Sequence, residues 1–66
     1  MAVLKVIEIM SDSSKSWEDA TAKGVAKAAK TLKGLKSAHV DHQSVTISGG
    51  KINNYRVILK VTFELE

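Results

Sequence analysis

The closing segment Tyr55-Arg56-Val57-Ile58-Leu59-Lys60-Val61-Thr62-Phe63-Glu64-Leu65-Glu66 decides the fold. Tyr55, Val57, Leu59, Val61, Phe63 and Leu65 alternate with positions that are charged or polar, Ile58 excepted. Alternation at period two places one continuous apolar face on a β-strand. At about 3.3 Å per residue this strand spans roughly 40 Å, about twice the usual length, and serves as the plank that the rest of the chain must pair with or cover. One side of the sheet is meant for a helix and the other for water or a partner.

Working outward, Gly49-Gly50 is a hairpin turn signal, so the third strand, Lys51 to Glu66, is preceded by an antiparallel second strand over Leu35 to Ser48. Its apolar pattern changes phase: Ala38 and Val40 are even, Val45 and Ile47 odd. A bulge near Asp41 to Ser44 realigns the two pairs, or one pair points away from the helix. Upstream, Ser16 is placed to cap a helix running to about Lys33, with Asp19 completing a capping-box variant, Glu18 at the positive end of the dipole and Gly34 as a left-handed C-cap. Trp17, Ala20, Thr21, Gly24, Val25, Ala28 and Leu32 share the face that should lie on the sheet, with Gly24 allowing close approach. Lys23, Lys27 and Lys30 make a solvated stripe opposite, and Ala22, Ala26 and Ala29 a strip of small side chains suited to a subunit contact. Val3 to Met10 reads as the first strand and is apolar on both faces, with Val3, Ile7 and Ile9 on one and Leu4, Val6 and Met10 on the other. Ser11 to Ser16 reads as a polar loop without the glycine that a phosphate cradle needs. The directions of these elements give an α+β unit, β-α-β-β, with a three-stranded antiparallel sheet of order 1-3-2 wrapped on one helix.

The 66 residues form a single domain, 1–66, with a small interior and no cysteine to staple it. Other copies of the same chain are the staple that remains. Lys plus Arg is 10 against 7 for Asp plus Glu, a net charge of +3 that suits solubility without implying a nucleic-acid partner. Lys5 and Glu8 interrupt the apolar start, and no run is long enough for a membrane span, so a soluble cytoplasmic protein is expected.

No nucleophile elbow, Walker loop, dinucleotide fingerprint or HExxH helix is present, and an enzyme is not expected. On a regular strand His39 and His42 face opposite ways, whereas His39 and Asp41 share a face. His39 and Asp41 are therefore the candidate metal ligands, with several copies meeting at a symmetry axis. Tyr55 beside Arg56 is a single aromatic-basic neighbour pair, too little for a nucleic-acid face.

The order strand, capped helix, bent strand, glycine turn and long strand resembles a dodecin. Ser16-Trp17-Glu18 opens the helix, and Tyr55-Arg56-Val57 through Val61-Thr62-Phe63-Glu64-Leu65 closes the chain. The resemblance covers nearly the whole length and implies a hollow, cubic-symmetry homododecamer whose strands continue between subunits. It also implies a flavin site built on a tryptophan at the start of the second strand and a glutamine directly after the strand-three tyrosine. Ser37 and Arg56 stand at those positions. Serine offers no ring to stack on, and a guanidinium cannot accept the hydrogen bonds that a glutamine amide can. Flavin (FMN or riboflavin) is expected to bind weakly or not at all, with Tyr55 as a substitute stacking surface and Arg56 suited to an anionic group. The expected cargo is a small anionic or aromatic ligand; the alternative is a structural or ion-binding dodecameric shell, holding calcium or another metal, without flavin.

Overall fold

The computed structural model describes residues 2–65. It contains β1 (Leu4–Ser13), α1 (Trp17–Thr31), β2 (Leu35–Ser48) and β3 (Lys51–Glu64), with β3 central and antiparallel to both neighbours. Glu66, expected to end the long strand, lies outside the described residues. Leu65 still donates its backbone N–H to the Val3 carbonyl at 2.9 Å.

The apolar face of β3 is the floor of the core. Val57, Leu59 and Val61 are fully buried, flanked by Ile7 and Ile9 of β1 and by Ala38 and Val40 of β2. Ala20, Gly24 and Ala28 of α1 are buried on top of them, as 3.6-residue spacing requires. A Cβ on Gly24 would stand 3.0 Å from Leu59 Cδ1 and 3.1 Å from Ser11 Cβ. The missing side chain is what lets the helix sit this low.

Four local expectations need correction. The first strand runs on to Ser13, because Ser11, Asp12 and Ser13 pair with Val57, Arg56 and Tyr55. Its last hydroxyl is buried, donates to Asp19 Oδ2 at 2.6 Å and accepts from the Lys15 N–H at 3.0 Å. Ser16 does cap the helix by accepting from the Asp19 N–H at 2.9 Å, but the Asp19 carboxylate serves Ser13 and Lys23. The helix ends at Thr31 with Leu32 as its extended cap, so Gly34 is not the C-cap. Gly34 has φ +73°, its carbonyl accepts from the Glu64 N–H at 2.9 Å, and a Cβ there would meet the Glu64 carbonyl oxygen at 2.9 Å.

The last correction concerns the histidines. The register of β2 slips between Val40 and His42, leaving Asp41 as the extra residue of a bulge. Ala38, Val40, Gln43 and Val45 therefore all stand opposite the helix-facing residues Val61, Leu59, Val57 and Tyr55. The same slip places His39 opposite Lys60 and His42 opposite Ile58, so both imidazoles belong to the face turned away from α1.

One helix covers one side of a molecule measuring 50 × 19 × 14 Å. Leu4, Val6 and Met10 are exposed on the open face, and Ile47 and Ile52, cross-strand partners next to the hairpin turn, are 69% and 54% exposed.

Candidate ligand-binding site

The open face of the sheet carries its polar chemistry in rows fixed by the two ladders. Asp12 of β1 stands opposite Arg56 of β3, and Arg56 opposite Ser44 of β2. Arg56 Nε donates to Asp12 Oδ1 at 2.8 Å and Nη2 to Oδ2 at 2.9 Å. Two parallel charge-assisted bonds make a planar clasp, with both side chains about one third exposed at 36% and 34%. The hydrogen bond from Arg56 holds the Asp12 carboxyl below its ordinary value, and Asp12 raises the guanidinium above its own. The pair is thus doubly ionised throughout the neutral range. On one side lies the row Met10, Ile58, His42, and on the other Asn54 opposite Thr46.

Tyr55 lies on the other face. Its ring meets Trp17 edge to face at 5.1 Å and 78°, and Trp17 donates its indole N–H to the Ser44 carbonyl at 2.9 Å. Ser37 is exposed in a recess of about 250 Å³ with Val25, Leu35, Lys36 and Ala38. It stands opposite Thr62, so the run of β3 between Thr62 and Arg56 separates Ser37 from Arg56 by about 20 Å. A single copy therefore does not bring Ser37, Tyr55 and Arg56 together.

Of the expected metal ligands, Asp41 lies 3.4 Å from His42 Nε2 and 3.9 Å from Lys60 Nζ. It lines a recess of about 500 Å³ with Val40, His42 and Gln43. Among the described residues no three His, Asp or Glu side chains converge within the chain. Sequence reading overlooked Asp12, whose partner is 44 positions away, and paired His39 rather than His42 with Asp41.

A family model described as dodecin matches residues 3–66. The chain belongs to the dodecin family. Calcium dodecin of Mycobacterium tuberculosis is 39% identical over 66 residues, covering 98% of this chain and 92% of the relative. Among solved structures, a mutant dodecin of T. thermophilus superposes with a TM-score of 0.93 at 33% identity, covering 100% of this chain and 98% of that one. A dodecin from Streptomyces coelicolor gives 0.94 at 28%, with coverage of 98% and 93%.

Ser37 supplies no ring, the Nε–Nη2 edge of Arg56 is taken by Asp12, and the Tyr55 ring meets Trp17 on the helix side.

Proposed function

We propose that this dodecin is a homododecameric small-molecule binding and storage protein of the cytoplasm, not an enzyme, in which flavin binding is weakened or lost. The observation that carries this reading is the Asp12–Arg56 clasp, which occupies the group standing at the family's glutamine position. Ser37 and Arg56 remain the ligand-facing positions, contributed by different copies because one chain holds them far apart. The exposed apolar residues of the open face and hairpin support assembly, since a chain this small buries too little by itself. No helix is long and apolar enough to cross a membrane. The lysine stripe is exposed, and Lys23 is engaged by Asp19 at 2.9 Å, which supports a solvated face over a nucleic-acid partner.

Titration of riboflavin with the protein tests this reading. The native chain is expected to leave flavin fluorescence unquenched at micromolar protein, and Ser37→Trp with Arg56→Gln to bind at least about tenfold tighter, a stacking ring and an amide having been restored. Strong quenching by the native chain, or a double variant still blind to riboflavin, refutes it.

A second reading, an ion-binding shell, is favoured by the Asp41 carboxylate at the rim of its recess and by a relative named calcium dodecin. Calcium takes about 6–8 oxygen ligands, so one aspartate per chain must be joined by several copies. On this reading millimolar calcium raises the melting temperature of the native chain and leaves that of Asp41→Asn unmoved. Equal shifts in both exclude Asp41.

A further inference from the structure

We propose that Asp12 sets the charge selectivity of the open face: by taking the Nε–Nη2 edge of Arg56 and holding a fixed negative charge beside it, Asp12 turns anionic groups away, so the ligand surface in contact there is uncharged. This rests on Arg56 being a ligand-facing position, as proposed above. It reverses the expectation that Arg56 attracts an anion.

Arg56 is the chain's single arginine, and Nε with Nη2 forms the edge of a guanidinium that matches a carboxylate or phosphate. Both donors on that edge go to Asp12, at 2.8 and 2.9 Å. A surface ion pair of this kind adds little to stability, but its occupancy is what matters here. The β1–β3 ladder holds Asp12 directly opposite Arg56, so the carboxylate cannot diffuse away as a counterion would. An incoming phosphate must therefore either displace a tethered competitor or bind beside its negative charge, and like-charge juxtaposition is costly.

The surroundings agree. The partners of the neighbouring rows are Met10, Ile58, Asn54 and Thr46, and Ser44 flanks Arg56 itself. His42, at the end of the Met10 row, has its Nε2 3.4 Å from Asp41 Oδ2. What is presented is a charge-compensated guanidinium–carboxylate pair among uncharged neighbours, with no unpaired cation at Arg56 to draw an anion in.

The test follows the Arg56 Nε–H resonance, a signal that no other residue can contribute, while inorganic phosphate is added to the assembled protein. In the native chain the signal is expected to stay put through millimolar phosphate. In Asp12→Asn, which keeps shape and removes charge, it should move and saturate with at least about tenfold higher affinity. Asp12→Ser supplies the same comparison if the asparagine variant does not assemble. A native signal that shifts with phosphate as readily as the variant's overturns the proposal, and so does a signal that moves in neither. Because phosphate is the probe, this result is independent of whether flavin binds, so a failed flavin reading and a failed Asp12 assignment remain distinct.

Discussion

Replacing Ile47 by glutamate is expected to dissociate the assembly and unfold the chain. In an isolated copy Ile47 is 69% exposed, and its cross-strand partner Ile52 54%. A polar substitution at so open a site would normally change stability by no more than about 0.5 kcal/mol. The hairpin lies at one end of a slender molecule, and leaving its isoleucines in water would be wasteful in a chain with so small a core. If another copy covers them, a carboxylate there must be desolvated without a partner, at a cost of several kcal/mol per subunit. Size-exclusion mass and circular dichroism of Ile47→Glu read the outcome. A variant with native mass and native melting temperature would mean that the hairpin stays bare.

Leu59→Ala should cost about 2–5 kcal/mol, from the lost transfer energy and the cavity left behind. Leu59 has no exposed surface and lies with Ala20 and Val57 in the core, with Ile9, Trp17 and Val25 packed around them. Gly24 has given up its own side chain to make room, so nothing on the helix can move in to fill the hole. Total stabilities of about 5–15 kcal/mol leave little margin for such a loss. The denaturant midpoint at fixed protein concentration measures it, since folding linked to association shifts with concentration. A loss below about 1 kcal/mol would mean that the site collapses readily.

The parts of this structure legible in the sequence are those set by short-range periodicity. The alternation of Val57, Leu59 and Val61 named the buried face, Ser16 named the helix start, and Gly24 marked the closest approach. The phase change in β2 pointed to a bulge or to one apolar pair turned away from the helix, without choosing between them or naming a residue to be extruded. Only the ladder shows that it is Asp41, and that choice decides that His39 and His42 share a face. Ser11 to Ser13 read as a loop because serine and aspartate are poor strand formers, yet pairing with β3 and the bonds to Ser13 override that propensity. The clasp was invisible for a different reason. Asp12 and Arg56 are joined only by register across the β1–β3 pair, and nothing local to either residue signals the other.

A chain this small needs identical copies to complete the interior of each subunit. Native mass spectrometry with circular dichroism over a dilution series tests that most directly. Twelve copies of 7.1 kDa, roughly 85 kDa, should be the folded species, and dilution should convert it to unfolded chains without a folded monomer between. A 7.1 kDa species that keeps its full secondary structure at high dilution would contradict it.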